Sequence, residues 1–342
     1  MAQINKPTDY FNTSTWTATT SAISNLDFSP DWVWIKSTDS GNGHVLFDTI
    51  RGANIRLSSS SDIAESTRTD ELMSFDSNGY TLGSSGNTND TNPFNASYVG
   101  WSWRGSDSSA VSNTDGSITS TVSVNTTSGF SIVSYTGSGV NATIGHGLGS
   151  TPDMMIFKKR NATRNWCVYH KSVGATKILQ LNLTDAELTS QPSFNNTAPT
   201  SSVINVGDSG FTNSSSDTFI AYCFAEKKGY SKFGSYTSNN NANGPFIYTG
   251  FKPAFLMIKN ITTGNTGWEI YDNKRTPNNV ANLFLRANTN DADVSSDRLD
   301  ILSNGFKLRQ VGDTNYNSDV MIYMAFAENP LVGTNNIPAT AR

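Results

Sequence analysis

Apolar positions along this chain gather in short runs, and three of the runs share one form. Residues 28–37 read FSPDWVWIKS, residues 150–159 STPDMMIFKK and residues 251–260 FKPAFLMIKN. In each, a proline (Pro30, Pro152, Pro253) leads a largely apolar stretch that ends in lysine (Lys36, Lys158, Lys259). A proline at the head of a strand lacks an N–H that the ladder does not yet need. Apolar residues on both sides of the pleat predict a central strand, buried on both faces or covered on one by a neighbouring domain. Each lysine is expected where its strand leaves the core.

The landmarks around these runs recur in the same order. The segments YVGWSWRG (98–105), FIAYCFAE (219–226) and MIYMAFAE (321–328) set Trp103, Phe224 and Phe326 in register. GHVLFDTIRG, NWCVYHKSVG and GWEIYDNKRT do the same for Asp48, His170 and Asp272. A glycine before an aromatic follows in each case, at Gly79, Gly210 and Gly305. Periods of about a hundred residues indicate duplicated domains, since solenoid repeats run at roughly 20–50. Helical 3.6-residue spacing is almost absent, and Asp62–Leu72 alone reads equally as a short helix or a loop.

The expectation is an all-β chain of three tandem β-sandwich units with jelly-roll character. The first unit spans 1–105 with an N-terminal arm, and a Ser/Thr-rich linker follows at 106–128. The second unit covers 129–228, the third 229–330, and a tail closes the chain at 331–342. The short join KKGYSKFG predicts close packing of the second unit on the third.

Composition narrows the function classes. Charged residues are only 15% of the chain, against roughly 25% in ordinary soluble proteins. Asn, Ser, Thr and Gly fill the gap and favour turns and strands. With 28 acidic against 24 basic side chains, no basic cluster argues for nucleic acid or an anionic membrane surface. No run of apolar residues is long enough to span a bilayer as a helix. MAQINKPTDYFN has no apolar core after its first basic residue, so no secretory signal is expected. Cys167 and Cys223 read as two buried thiols, with a cross-strand disulfide as the alternative.

Candidate chemistry is sparse. His44 and His170 occupy the same kind of strand, but the third unit has no histidine, so a repeated catalytic histidine is excluded. Asp48 with Arg51, and Asp272 with Arg275, form an Asp-x-x-Arg pattern that suits an ion pair or an Asx-type turn. The middle unit has His170 and Val173 instead. A glycosidase needs two facing carboxylates, one with a raised pKa. No repeated second carboxylate is present, and the pattern reads as a structural brace. No cofactor is expected, although NTNDADVSSD (288–297) concentrates oxygen donors of the kind Ca²⁺ prefers. Aromatics near turns, Trp16, Tyr236, Tyr248 and Tyr316, are candidates for stacking on sugar rings.

With these landmarks in place, the chain resembles a known group. INKPTDYFNT (4–13) is similar to the opening common among virion proteins of marine bacteriophages, including phages of cyanobacteria and SAR11-type bacteria. The units resemble an uncharacterised concanavalin/laminin-G-like domain recurring in those proteins, most closely in the first unit. The resemblance implies a non-enzymatic virion structural protein assembled in the host cytoplasm. It would be displayed as a tail fibre or tail appendage, contacting other virion proteins or a host-surface glycan. Homotrimeric assembly is expected by analogy. Capsid decoration and a polysaccharide-depolymerase tailspike are the alternatives. The resemblance carries no catalytic residues.

Overall fold

The computed structural model describes residues 3–17, 22–83, 90–92, 96–106, 108–332 and 338–340. Part of the expected tail, 333–337 and 341–342, lies outside the described residues. The all-β expectation holds: apart from 3-10 turns at Pro7–Asp9 and Gln191–Phe194, the regular structure is strand. Asp62–Leu72 is a loop containing one two-residue strand.

The first stretch supplies β1 (Phe11–Thr17), β2 (Ala22–Ile23), β3 (Trp32–Ser37), β4 (Val45–Asp48), β5 (Gly52–Leu57), β6 (Ser66–Thr67), β7 (Leu72–Asp76), β8 (Gly79–Leu82) and β9 (Ser97–Trp103). Then come β10 (Val111–Asn113), β11 (Ser120–Asn125), β12 (Phe130–Thr136), β13 (Ala142–Gly145), β14 (Met154–Lys159), β15 (Cys167–His170), β16 (Lys177–Ile178), β17 (Leu188–Thr189), β18 (Val203–Val206) and β19 (Thr218–Phe224). The last stretch holds β20 (Ser231–Thr237), β21 (Phe246–Tyr248), β22 (Phe251–Asn260), β23 (Glu269–Asp272), β24 (Ala281–Arg286), β25 (Val294–Leu302), β26 (Gly305–Leu308) and β27 (Val320–Pro330).

The three main sheets share an order over four strands, β1-β9-β3-β4, β12-β19-β14-β15 and β20-β27-β22-β23. Sheet I runs β1-β9-β3-β4-β5-β6, sheet II β10-β11-β12-β19-β14-β15, and sheet III β20-β27-β22-β23-β24-β25-β26-β21. Register makes the correspondence residue by residue. Trp32, Met154 and Phe255 lie opposite Trp103, Phe224 and Phe326 on one side. They lie opposite Asp48, His170 and Asp272 on the other. A smaller layer covers one face of each main sheet: β2-β8-β7 on I, β13-β18 on II, and the returning β25-β26-β21 on III.

Alternation along the proline-led strands explains why they are apolar on both sides. Val33 and Ile35 point into the private core of sheet I, Met155 and Phe157 into that of sheet II, and Leu256 and Ile258 into that of sheet III. Their neighbours Trp32, Trp34, Met154, Ile156, Phe255 and Met257 belong to one core shared by all three sheets. At its centre the corresponding residues Trp103, Phe224 and Phe326 meet, with ring centroids 5.6–6.5 Å apart. Each main sheet therefore buries one face against its own cover and the other against its two fellows.

Several expectations change. Residues 106–128 are not simply a linker, because β10 and β11 add to the edge of sheet II. Serines alternating with Val122 and Val124 suit a half-buried strand, and Ser120 and Ser123 are buried with hydrogen-bond partners. Pro253 does not head its strand: β22 begins at Phe251, and the proline sits at an irregularity in the ladder. Gly79 and Gly305 do open strands, where a Cβ would fall 1.7 Å and 2.0 Å from the carbonyl oxygens of Ile23 and Ile247. Gly210 instead lies in a turn. The residue of sheet II that pairs as Tyr80 and Phe306 do is Ile204. The two cysteines are free and buried.

Lys36, Lys158 and Lys259 do not mark an exit from the core; all three are buried. They share the parity of Trp32 and Trp34, which aims them at the junctions between sheets rather than at solvent. Backbone carbonyls receive them there. Lys158 Nζ donates to Asp62 O (3.2 Å) and Lys159 O (2.7 Å), and Lys259 Nζ to Thr184 O (3.2 Å) and Thr266 O (2.8 Å). Lys36 Nζ donates to Ser37 O (2.6 Å) and Ser40 O (3.2 Å). Burial pushes each ammonium down to about 8.

Candidate binding site at the sheet seams

The three sheets meet at three seams, and corresponding residues hold each seam. Four positions before Asp48, His170 and Asp272 stand His44, Trp166 and Trp268, all buried. Trp166 Nε1 donates across the I/II seam to Ser58 O (2.8 Å), and Trp268 Nε1 across the II/III seam to Gln180 O (3.0 Å). At the III/I seam His44 takes the indole's place, with its Nε2 3.0 Å from Arg286 O. Trp34 Nε1 donates to His44 Nδ1 (2.8 Å). That bond leaves the proton on Nε2, which therefore donates to the carbonyl. Burial pushes this imidazole well below its ordinary range, so the ring is neutral at pH 7.

The Asp-x-x-Arg pattern sits deeper in the same seams, and both readings of it occur together. Asp48 Oδ1 accepts from Arg51 N (2.8 Å), while Oδ2 accepts from Arg51 Nε (2.6 Å). Asp272 and Arg275 repeat this at 2.9 and 2.6 Å. Each aspartate also receives a donor from the adjoining sheet: Tyr222 Oη reaches Asp48 Oδ2 at 2.8 Å, and Trp101 Nε1 reaches Asp272 Oδ2 at 3.2 Å. Tyr222 and Trp101 are corresponding residues, two before Phe224 and Trp103. In sheet III that position is Met324, which has nothing to donate. Its seam partner in sheet II is the one that lacks the pair, with His170 and Val173 in place of Asp and Arg. A buried carboxylate without its donors is costly, so the loss of pair and donor at one seam is physically coupled. His170 lies beside the main chain of Tyr323, and burial pushes its imidazole down to about 4.

The 288–297 segment is tied both within the sheet III stretch and across the III/I seam. Asn288 Oδ1 accepts from Trp268 N (2.8 Å), Asp293 pairs with Arg275, and Asp293 N donates to Thr38 O (2.8 Å). Among the described residues no three His, Cys, Asp or Glu side chains form a group able to hold a metal ion.

Just beyond the paired ends at Asp48, His170 and Asp272 the seams differ. Corresponding positions there are Asp31, Asp153 and Ala254; Thr49, Lys171 and Asn273; and Gly105, Glu226 and Glu328. At the I/II seam the space is filled. Asp31 Oδ1 accepts from Thr49 Oγ1 (2.9 Å) and from Ser123 Oγ (3.0 Å) of β11, and Oδ2 from Gly105 N (2.8 Å). A Cβ on Gly105 would lie 2.8 Å from Ser123 Oγ. At the III/I seam Asn273 donates to Glu328 (2.8 Å) beside a cavity of about 230 Å³. At the II/III seam a cleft of about 640 Å³ opens.

In that cleft Lys171 Nζ bridges Asp153 Oδ1 (2.9 Å) and Glu226 Oε2 (3.1 Å), and Lys232 Nζ holds Glu226 Oε1 (3.1 Å). Glu226 N donates to Asp153 Oδ2 (2.6 Å). Burial alone would raise the Glu226 carboxyl, but the charges of Lys171 and Lys232 outweigh it and hold the group below its usual range. Gln3 of the N-terminal arm, exposed Lys228 and Tyr248 of the edge strand β21 complete the walls. Ile4 N donates to Lys228 O (3.0 Å), which anchors the arm.

The sugar-stacking candidates separate. Trp16 is buried and stacks on Tyr98 at 5.5 Å. Tyr236 packs edge-on against Phe306, and its hydroxyl donates to Thr314 O (2.8 Å). Tyr248 and Tyr316 are exposed, and only Tyr248 lines the cleft. Sequence reasoning did not single out Asp153, Lys171, Glu226, Lys228 or Lys232. Their one available signal was the end of the closing landmark, where Gly105 gives way to Glu226 and Glu328.

No curated protein and no solved structure matches the chain. A domain of unknown function, DUF7483, matches residues 6–330, a span that takes in all three sheets, and the chain therefore belongs to the DUF7483 family.

Proposed function

We propose that this is a non-enzymatic structural protein of a bacteriophage particle, displayed as a tail fibre or tail-associated appendage that contacts a host surface or neighbouring virion proteins. The three sheets with their covers are read as three copies of one β-sandwich unit, folded back on a common core. The observation that carries the proposal is the INKPTDYFNT opening, together with the first unit's landmarks, which resemble virion proteins of marine phages. The geometry supports a non-enzymatic reading. The carboxylates of the II/III cleft are tied to Lys171 and Lys232, and Glu226 is held below its usual range. A glycosidase acid would need the opposite shift.

The test is to label this protein on purified particles and image them. Label at the tail tip or on fibres supports the proposal. Label spread over the capsid replaces the appendage with a decoration protein, and particles without label refute the virion reading.

A further inference from the structure

We infer that the cleft at the II/III seam binds an acidic saccharide, a sugar ring carrying one negative group. The inference deepens the adhesive part of the proposed function and rests on it for its biological sense. Its physical basis is separate.

The first argument is the contrast between corresponding places. Three seams of one design would have three similar gaps if the opening were only a by-product of packing. Instead Ser123 and Asp31 fill one, Asn273 and Glu328 leave about 230 Å³ at another, and the third opens to about 640 Å³. That volume lies within the roughly 300–1,000 Å³ of small-molecule sites.

The second argument is the chemistry of the walls. The ion pairs of Lys171 and Lys232 fix Asp153 and Glu226 in place, yet each carboxylate has about four lone-pair sites. Sites left over accept hydrogen bonds from sugar hydroxyls, with little ordering cost because the acceptors are already held. Tyr248 is 54% exposed, and a Cβ built on Gly250 would rest 3.6 Å from its ring. Gly250 takes the left-handed φ of +82° that turns the chain beside the ring, and the exposed ring offers an apolar platform beside the charged groups.

The third argument is charge. Lys171, Lys228 and Lys232 face two carboxylates, Asp153 and Glu226. Lys171 and Lys232 are paired, whereas exposed Lys228 makes no ion pair among the described residues. One uncompensated ammonium at the rim matches one carboxylate on a ligand.

The purified full-length chain is titrated with trigalacturonate against galactotriose, and with sialyllactose against lactose. The expected result is binding of at least one acidic member, at least about tenfold tighter than its neutral counterpart. Tyr248→Ala should weaken that binding by about tenfold or more, and Lys228→Ala should remove the preference for the acid. Both side chains are exposed, so the urea midpoint of each variant should match the parent, which separates lost binding from lost folding. The inference is overturned if neither acidic sugar binds, if neutral sugars bind equally well, or if Tyr248→Ala leaves binding intact. Particle labelling answers the other question independently. Sugar binding without label on particles removes the virion proposal and keeps this site, and label without sugar binding does the reverse.

Discussion

Replacing Asp48 by alanine tests the seam architecture most directly. Asp48 and Arg51 side chains are both fully buried, and Arg51 would keep its bonds to Leu46 O and Ile55 O, each 2.9 Å, and a longer one to Tyr222 Oη (3.3 Å). Breaking a buried pair by removing one partner leaves an uncompensated charge and costs about 3–5 kcal/mol. Tyr222→Phe is the milder change. It deletes the hydrogen bond to the Asp48 carboxylate and the longer one accepted from Arg51 Nη2 (3.3 Å) and keeps the ring stacked on Trp32 at 4.4 Å, so its cost is about 1.5–3 kcal/mol. The two single variants should therefore rank Asp48→Ala above Tyr222→Phe in urea unfolding followed by tryptophan fluorescence.

A third variant carries the discriminating power. Asp48→His, Arg51→Val and Tyr222→Met together transplant the II/III trio of His170, Val173 and Met324 into the I/II seam. No buried charge is left behind, and exchanging a buried ion pair for apolar groups is often close to neutral. The triple variant should cost less than the summed costs of Asp48→Ala and Tyr222→Phe. If Asp48→Ala costs under about 1 kcal/mol, or the triple variant exceeds that sum, the coupling between the aspartate pair and its donor is wrong.

Other consequences follow from the same geometry. Trp103→Ala, Phe224→Ala and Phe326→Ala should each cost about 3–5 kcal/mol. Because all three sheets share that core, calorimetry of the parent should show one transition, and two or more resolved transitions would refute the shared-core account. Lys36, Lys158 and Lys259 have folded values of about 8 against 10.5 unfolded, so the stability linked to their deprotonation is present above 10.5 and lost as pH falls through 8. The urea midpoint should rise from about pH 7.5 to about pH 9.5, before ionisation of unfolded tyrosines near 10 reverses it, because burial raises Tyr135, Tyr222 and Tyr271 in the fold. On the acid side, His170 falls from 6.5 to about 4 and His44 falls well below 6.5. Their contribution is present above 6.5 and lost below it, so the midpoint should drop between about pH 7 and pH 5, and a flat profile would contradict their burial.

Much of the architecture was legible because it repeats in one dimension. The proline-led runs and closing landmarks identified two neighbouring central strands of each sheet, and the equivalence of Trp103, Phe224 and Phe326 matches the pairing register. Where the pattern misled, a local rule was applied where a long-range contact decides. Gly210-Phe211 looks like Gly79-Tyr80, yet the second layer over sheet II closes with Ile204, which Val203 and not a glycine precedes. The 106–128 segment has the composition of a linker, and only its docking on β12 makes it a pair of strands. Lysine at a strand end usually signals solvent, and nothing in the sequence shows that another sheet's carbonyls wait at Lys158 and Lys259. The cleft was illegible for the same reason. Gln3, Lys171 and Tyr248 lie far apart in sequence and meet only because two sheets and the N-terminal arm converge.

A structure built from corresponding parts can vary one junction while the others preserve the fold. The II/III seam has lost the aspartate–arginine pair and its donor together, but at the other end of its strands it keeps the indole bond from Trp268 to Gln180 and the ammonium of Lys259 on Thr184. Next to the lost pair, the same seam exchanges the compact Asp31–Thr49–Ser123 plug for longer charged side chains that stand around open space. The two changes lie side by side at one end of β14 and β15, where Met154 pairs with His170, while the retained bonds of Trp268 and Lys259 hold the other end of the seam. Recognition chemistry would be expected at the junction where one end is least needed for packing, and the II/III seam is that junction.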